Sequence, residues 1–348
     1  MVVKKRTPRR SRNAVTMHEV AKHVGVSPMT VSRVISGDAN VRPETMQRVQ
    51  QAIKELGYTP NVAARNLAKA ATVHLGLLYN NPSAGYLNEL LVGVLEQSSH
   101  AGCQIVLEKC GTRNERAAVE RLLGDGISGV ILPPPLSDSK VMLAALRDAK
   151  IPFIAVATGR HEAEGISVRI NDFEAAAAMT RHLLSLGHRK IGFIVGAPNQ
   201  TASVQRQAGY EAALAEAGLP VRSDWVQQGS FSYRSGLTAA EQILRSPQRP
   251  TAIFASNDDM AAAAIAVAHR VHLDVPKDLT VVGFDDTPLA TTIWPAMTTV
   301  RQPVAAMARK AVELLLEEIR LRRLGETLEP LLHIMHFTLV KRESSAAI

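Results

Sequence analysis

The first sixty residues of the chain carry apolar positions at the spacing of short α-helices. Val20, Ala21 and Val24 fall on one helical face. Thr16 and Glu19 have the spacing of a capping box, in which each side chain bonds the backbone N–H of the other residue. The pattern therefore predicts a helix that begins just after Thr16 and buries a small Ala/Val face.

A second short helix is predicted directly after the first. Gly25 suits the left-handed conformation that ends a helix, Ser27 is a suitable N-cap, and Pro28 fits the first helical position. The inward-facing positions are Val31, Val34 and Ile35. The outward-facing positions are Met29, Thr30, Ser32 and Arg33. Two such helices form a helix-turn-helix, whose second helix enters the major groove of DNA. An ordinary helical hairpin in a larger core is the alternative.

A third helix and a linker are predicted after this pair. The helix opens at Arg42-Pro43-Glu44 and ends at Gly57, and its apolar stripe completes the small core. Residues 61–72 follow as an Ala-rich segment of about two helical turns, which is marginal as an isolated helix. Leu67 is its one large apolar side chain and a candidate wedge for the minor groove. In the alternative, the segment is a plain linker whose leucine packs on the next domain.

From Val73 the pattern changes to short apolar strands that alternate with amphipathic helices. This alternation predicts right-handed parallel crossovers and doubly wound sheets. One series covers residues 73–167 and a second covers 168–300, which indicates two lobes. The tail returns across both, with 303–331 assigned to the first lobe and 332–345 to the second. The predicted domains are a basic tail at 1–15, an α-helical helix-turn-helix domain at 16–60, a hinge at 61–72 and a two-lobed α/β core at 73–345.

Ligands of open α/β sheets bind beyond the carboxyl ends of the strands. Several polar or aromatic residues follow predicted strands of the second series, namely Arg206, Phe231, Asn257, Asp258, Asp285 and Asp286. Paired donors and acceptors match vicinal hydroxyls, and an aromatic ring matches the C–H face of a pyranose. Each group also has a structural alternative, because the acidic and amide residues suit helix N-caps and the arginine suits a surface ion pair.

The positive charge of the chain is concentrated at its N-terminal end. Residues 1–72 carry a net charge of +9 and residues 73–348 a net charge of −1, which gives the +8 of the whole chain. A basic module beside a neutral body is typical of nucleic-acid binding. Residues 1–15 are Lys/Arg-rich and unpatterned, so we expect them to be disordered when free. They add non-specific attraction to phosphates or form a passive tail.

Other classes of protein are disfavoured by what the sequence lacks. No run of about 18 apolar residues indicates a membrane span. The charged N-terminus lacks the apolar segment of a secretory signal, and two cysteines suit a reduced cytoplasm. The sequence has no phosphate-binding loop, dinucleotide fingerprint or nucleophile elbow. The pairs His269/His272 and His333/His336 lack the further ligands of a metal site. We therefore expect no cofactor, no metal and no enzymatic activity.

Four segments make the chain resemble the lactose-repressor (LacI) family of bacterial transcription regulators. They are V-A-K-H-V-G-V-S-P-M-T-V-S-R-V-I, E-L-G-Y-T-P-N-V-A-A-R-N-L, S-N-D-D-M-A and V-V-G-F-D-D. Their order and spacing extend the resemblance over nearly the whole chain from Thr16. The resemblance implies a three-helix DNA module, a hinge helix, a core like a periplasmic sugar-binding protein, and a homodimer on a pseudo-palindromic double-stranded operator.

The resemblance also assigns residues to sites. Its DNA-binding set is Ser27, Pro28, Met29, Thr30, Ser32, Arg33, Asn61, Arg65 and Leu67. Its effector-binding set is Tyr86, Arg206, Phe231, Asn257, Asp285 and the adjacent Asp258. Two positions depart from the family pattern, because Ala157 stands where an acidic residue is frequent and Val304 where some members have an aromatic residue. Both departures concern the ligand and leave the DNA module unchanged.

These features predict an effector-controlled repressor of carbohydrate uptake or catabolism genes. It would act in the cytoplasm, and on the nucleoid when bound to DNA. A neutral mono- or disaccharide is the first expectation for the effector, because acidic and amide groups dominate the candidate set. A sugar acid paired with Arg206 is the second. Two alternatives from other classes are a solute-binding protein that serves a transporter and a sugar-modifying α/β enzyme.

Overall fold

The structure, a computed structural model, divides after Thr72 into an N-terminal unit and a core that starts at Val73. It describes residues 16–36, 41–56, 58, 73–111, 114–159 and 165–348, without the side chains of residues 32, 35 and 36. The predicted basic tail and hinge segment lie outside the described residues. So do three predicted DNA contacts, Asn61, Arg65 and Leu67.

The N-terminal unit contains the three predicted helices, α1 (Met17–Val24), α2 (Pro28–Ser36) and α3 (Pro43–Glu55). The capping box at the start of α1 is confirmed. The Glu19 N–H donates to the Thr16 hydroxyl at 3.4 Å, and the Thr16 N–H donates to the Glu19 carboxylate at 2.6 Å. Gly25 ends α1 with a φ of 74°.

A small apolar core holds these helices together. Its buried side chains are Val20, Ala21, Val24, Val31, Val34, Val49, Ala52 and Tyr58. The Arg48 guanidinium of α3 donates to the Val24 carbonyl at 2.7 Å. This bond satisfies one of the carbonyls that every helix leaves without an intrahelical partner at its end. The third helix therefore closes the core and also caps the first.

The core from Val73 alternates strands and helices as predicted. Its first elements are β1 (His74–Tyr79), α4 (Ala84–Ala101), β2 (Gln104–Lys109), α5 (Glu115–Gly124), β3 (Gly129–Leu132), a 3₁₀ turn (Leu136–Asp138), α6 (Lys140–Asp148), β4 (Phe153–Val156) and β5 (Ile166–Ile170). The next are α7 (Asp172–Ser185), β6 (Ile191–Val195), α8 (Thr201–Glu216), a 3₁₀ turn (Ser223–Trp225), β7 (Val226–Gln228), α9 (Tyr233–Leu244), β8 (Ala252–Ala255), α10 (Asp258–Arg270), β9 (Thr280–Asp285), α11 (Leu289–Thr292) and β10 (Thr298–Arg301). The last are α12 (Val304–Arg323), β11 (Leu331–Met335) and β12 (Thr338–Val340).

The strands form two six-stranded sheets, one in each lobe. The first has the order β11-β5-β4-β3-β1-β2, and all its neighbouring strands are parallel. The second has the order β12-β10-β9-β8-β6-β7, in which only β12 is antiparallel to its neighbour. Helix α12 packs on α4 and on the first sheet. Among the described helices, none is long and apolar enough to cross a bilayer.

The predicted lobe boundaries at Val168 and at residue 332 need correction. Strand β5 pairs with β4 in the first sheet, with Ile154 opposite Ile166, and β11 pairs with β5. The segment between β4 and β5 has no helical pattern, which made it resemble a domain boundary. Strand periodicity shows which faces are buried but not which sheet a strand joins. The first lobe therefore extends to Ile170 and also includes the later segment from Val304 to Met335.

Candidate functional site

A cleft lies between the two lobes, beyond the carboxyl ends of strands from both sheets. Its first-lobe lining is Asn81, Ser83, Tyr86, Pro134 and Ala157. Its second-lobe lining is Gln200, Ala202, Arg206, Phe231, Asn257, Asp285 and Gln302. The cavity has a volume of about 30 Å³, which is room for about two water molecules. A sugar-sized ligand therefore enters only when the lobes separate.

The structure brings five of the six predicted effector residues to this cleft, and Arg206 is the most extensively bonded of them. Its guanidinium is buried and forms an ion pair with Asp172, with Nε 2.8 Å from Oδ1. One terminal nitrogen donates to the Ser256 carbonyl and lies 3.6 Å from Asp285 Oδ1. The guanidinium carbon lies 3.6 Å from the centre of the Phe284 ring, a cation–π contact. Arg206 thus joins its own helix α8 to the start of α7 and to the ends of β8 and β9.

Asp285 and Asp172 share the positive charge of Arg206. Burial raises the pKa of both carboxyl groups, and the adjacent guanidinium opposes that rise. Asp285 also accepts a hydrogen bond of 2.6 Å from the Gln302 side chain. Arg206 therefore faces two acidic groups, and Arg169 adds a second positive charge near Asp172. The surface-pair alternative for Arg206 is wrong, since the arginine and both acids are buried.

Asn257 combines its two predicted roles. Its Oδ1 accepts the Met260 N–H at 3.0 Å and so caps α10, while its Nδ2 donates to the Phe231 carbonyl at 3.1 Å. That second bond holds the segment that carries the Phe231 ring, which lines the cleft. The N-cap bond orients the amide at the same edge, so capping and cleft lining are not exclusive here.

Backbone strain is concentrated at the strand ends that line the cleft. Ala157, Phe231 and Asp285 have φ values of 53°, 60° and 115°, in a region that residues with a Cβ rarely adopt. Asp286 follows with a φ of 59°. Such conformations cost about 1–3 kcal/mol each and are found preferentially at functional sites. The strained positions therefore agree with the cleft as the functional site of the core.

The predicted effector contact of Asp258 needs correction. This carboxylate is fully buried and turned away from the cleft, where it accepts bonds from the Thr287 N–H, the Thr287 hydroxyl and the Thr299 hydroxyl. Burial raises its pKa to about 7, although these hydrogen bonds favour the charged form. Asp258 and Asp259 follow each other in the first turn of α10, so their side chains point in different directions. Asp258 points toward the sheet of its own lobe, and Asp259 points toward the first lobe. Asp259 hydrogen-bonds Ser83.

Several cleft residues were missed from the sequence, and most follow a strand. Asn81 and Ser83 follow β1, Gln200 follows β6, and Gln302 follows β10. The rule that ligands bind beyond the carboxyl ends of strands, applied to every strand, would have found them. Among the described residues, the cleft-lining Tyr86 hydroxyl and Gln302 Oε1 are buried without a hydrogen-bond partner. Burial, with the nearby Asp285 charge, raises the pKa of Tyr86, so its hydroxyl stays protonated and can both donate and accept.

The second helix of the N-terminal unit exposes its predicted DNA-facing side. Met29 is 65% exposed and Arg33 is exposed, while Val31 and Val34 are buried. Ser27 caps the helix, because its hydroxyl accepts the Thr30 N–H at 3.1 Å and bonds the Thr30 hydroxyl at 2.9 Å. The side chain of Ser32 lies outside the described residues. The first turn of α2, with Pro28 and Met29, is therefore free to approach base edges within this unit.

A helix-turn-helix unit joined to a two-lobed α/β core with a polar cleft defines a class, the DNA-binding regulators with a ligand-binding core. Comparison with known proteins agrees. The family model of bacterial regulatory proteins of the lacI family matches residues 16–61, and that of the periplasmic binding protein-like domain matches residues 180–345.

Individual relatives extend the match over nearly the whole chain. The HTH-type transcriptional repressor PurR of Pectobacterium carotovorum subsp. carotovorum (strain PC1) is 36% identical over 95% of this chain and 97% of its own. The solved transcriptional regulator CelR–cellobiose complex is 33% identical, with a TM-score of 0.73 over 95% of this chain and 99% of that chain. The solved Lac repressor dimer bound to operator and the anti-inducer ONPF is 26% identical, with a TM-score of 0.78 over 96% and 100%.

The chain belongs to the lacI family of bacterial regulatory proteins. The three relatives named above are transcriptional regulators. The chain is accordingly a DNA-binding transcriptional regulator with a ligand-binding core.

Proposed function

We propose that the protein represses carbohydrate uptake or catabolism genes and that a small neutral sugar, bound between the lobes, controls its operator affinity. The observation that carries the effector class is the charge balance of the cleft. Arg206 is already paired with Asp172 and lies beside Asp285, so a ligand carboxylate would compete with both acids for its guanidinium. A ligand rich in hydroxyls instead finds donors and acceptors in Tyr86 and Gln302.

Two further observations support a sugar. The Phe231 ring lines the cleft beside these polar groups and offers a face for the C–H side of a pyranose. The solved CelR regulator is a complex with cellobiose, and that protein shares 33% of its residues with this chain. A sugar acid is the second candidate, because Arg206 lies within the cleft lining.

We propose that the DNA-bound form is a homodimer, by analogy with the Lac repressor dimer on its operator. Each copy would place α2 in a major groove, about 10 bp from the other. Asn61, Arg65 and Leu67 would add contacts at the minor groove between the half-sites, and the basic tail would add attraction to phosphates. The protein would act in the cytoplasm, at the nucleoid when bound.

Effector and operator are coupled through the separation of the lobes. A coupling of about 1–3 kcal/mol changes operator affinity by about 5- to 150-fold. The effector releases or strengthens the complex according to which lobe arrangement it favours.

The test is a gel shift with the DNA upstream of the protein's own gene, in excess genomic competitor. Neutral mono- and disaccharides, sugar acids and nucleobases are added in turn. We expect a specific shift that one neutral sugar alters. If only a sugar acid or a nucleobase altered the shift, the assignment of a neutral sugar would be overturned. If the protein showed no preference for promoter DNA over the competitor, its assignment as a regulator would be overturned.

A pair of variants separates the cleft from the DNA unit. Phe231→Ala removes the ring that lines the cleft and should abolish the sugar response while the shift itself persists. Tyr233→Ala is the matched control, since this aromatic residue is exposed in the same segment and does not line the cleft. An equal loss in both variants would contradict the role of Phe231.

A further inference from the structure

Two hydrogen-bonded contacts join the first lobe to the second beside the cleft. In one, the Ser83 hydroxyl, after β1, donates to Asp259 Oδ2, on α10, at 2.5 Å. In the other, Asp138, after β3, accepts the Thr201 N–H and the Thr201 hydroxyl, each at 2.9 Å. Ser83 lines the cleft, and so do both chain neighbours of Thr201. The contacts therefore lie where the lobes must part to admit a ligand.

Each contact brings a carboxylate of one lobe to the N-terminus of a helix in the other. Ser83 is the N-cap of α4, and its hydroxyl accepts the Tyr86 N–H at 3.4 Å while it donates to Asp259. Thr201 is the first residue of α8, and its N–H has no intrahelical acceptor. Asp138 supplies that acceptor. Helix N-termini favour negative charge, so each lobe contributes one carboxylate that is favoured by a helix of the other lobe.

Further hydrogen bonds surround the contact between Asp138 and Thr201. Asp138 is 3% exposed and also accepts the Thr158 hydroxyl at 2.6 Å. The Thr201 hydroxyl in turn accepts the Gly159 N–H of the first lobe at 2.5 Å. If the lobes separated, the N–H groups of Thr201 and Gly159 would both lose their acceptors. Exchange at these two amides therefore measures how often the lobes part.

We propose that Asp259 and Asp138 are positioning residues that form an interlobe latch, with Ser83 and Thr201 as their partners, and that this latch sets the balance between open and closed lobes. The cavity of about 30 Å³ must open to admit a ligand, so the contacts break and re-form in each binding cycle. Only the regulatory consequence rests on the proposed function. The lobe balance itself is measured without sugar or DNA.

The test is amide hydrogen exchange on the full-length protein. The variant Asp259→Asn keeps the shape of the side chain but removes its charge from the N-termini of α4 and α10. We expect the Thr201 and Gly159 amides to exchange about tenfold faster, equivalent to ~1.4 kcal/mol. These amides bond Asp138 and Thr201 rather than Asp259, so faster exchange reflects lobe opening rather than a local loss. Ser83→Ala removes the partner hydroxyl and should have a similar effect, which covers a failure of the first variant to fold.

The matched control is Glu115→Gln. Glu115 lies in the first turn of α5 and accepts the hydroxyl of Ser139, the N-cap of α6, at 2.7 Å. The chemistry is the same, but both partners lie in the first lobe, so exchange at Thr201 should stay within about twofold of the parent. Unchanged exchange at Thr201 in both Asp259→Asn and Ser83→Ala, or equal acceleration by Glu115→Gln, would overturn the latch. A failed gel shift would not affect this result.

Discussion

Replacement of Arg206 by methionine tests whether the cleft arginine holds the second lobe together. The substitution keeps an unbranched apolar chain but removes the guanidinium from Asp172, Asp285 and the Ser256 carbonyl. Asp285 is then left without its counter-charge, and Asp172 loses its direct ion pair but keeps the attraction of Arg169. Truncating one partner of a buried pair costs about 3–5 kcal/mol, because the remaining charge stays desolvated and unpaired.

A matched ion pair on the surface gives the comparison. Arg181 bonds Glu216 through two nitrogens at 2.8 and 2.9 Å, yet its side chain is 44% exposed. We expect Arg181→Met to cost about 0–1 kcal/mol, since water replaces the lost partner. The double variant Arg206→Met/Asp172→Asn should recover part of the loss, because one uncompensated charge is removed with the arginine.

Urea unfolding followed by tryptophan fluorescence measures these differences. The chain has two tryptophans, Trp225 and Trp294, both in the core, so the signal follows that unit alone. The deficit of Arg206→Met should also shrink as the pH falls from about 8 to about 5, because the pKa values of Asp172 and Asp285 are already raised and rise further without the arginine. A loss below about 1 kcal/mol, or one independent of pH, would refute the structural role.

Three further predictions concern other parts of the chain. Burial raises the pKa of Asp258 in the folded protein from 3.8 to about 7. The stabilising contribution of this group is therefore complete below its unfolded pKa and is lost as the pH rises through 7. Asp258→Asn should flatten the fall in the free energy of unfolding between about pH 5 and 8, and equal slopes in the variant and the parent would contradict this. Met29→Ala should change the unfolding free energy by less than about 0.5 kcal/mol, because Met29 is 65% exposed, yet lower the preference for operator over competitor DNA in a gel shift; an unchanged preference would remove Met29 from recognition. Arg48→Met leaves the Val24 carbonyl without its donor and should destabilise the N-terminal unit by about 1 kcal/mol in thermal melts. Arg42→Met should not, because the Arg42 side chain makes no cap bond at the start of α3.

Features set by neighbours in the chain were predictable from the sequence, and features set by distant partners were not. The Thr16–Glu19 capping box and the Gly25 terminus depend on residues within one helical turn, and both are present. The ion pair of Arg206 joins residues 34 positions apart, so nothing near the arginine in the sequence identifies Asp172 as its partner. The rule that ligands bind beyond the carboxyl ends of strands located the cleft, because it depends on the topology of the sheet. The alternation of strands and helices in the sequence predicts that topology.

The same limit explains why the sequence did not predict the separate roles of the adjacent acids Asp258 and Asp259. Asn257, Asp258 and Asp259 all follow a strand, and composition alone makes each a candidate for ligand contact. Their directions depend on where α10 begins and on what lies opposite, namely Thr287 and Ser83. A difference of one residue rotates a side chain by about 100° around a helix axis, since a turn holds 3.6 residues. The cleft edge could therefore be predicted, while the role of each acid could not.

The distribution of bonded and unbonded groups indicates how the lobes respond to a ligand. Arg206, Asn257 and Asp285 are bonded to other residues of the second lobe, Gln302 among them, so that side of the cleft is preorganised. Across the cleft, the buried Tyr86 hydroxyl has no hydrogen-bond partner among the described residues. A buried polar group without a partner costs about 1–3 kcal/mol. A ligand that bonds Tyr86 in the closed form recovers that cost only when the lobes are together, so it shifts the balance toward closure. Tyr86→Phe should thus weaken effector binding less than it weakens the effect of the bound effector on the operator, a difference that titration calorimetry and gel shifts would separate.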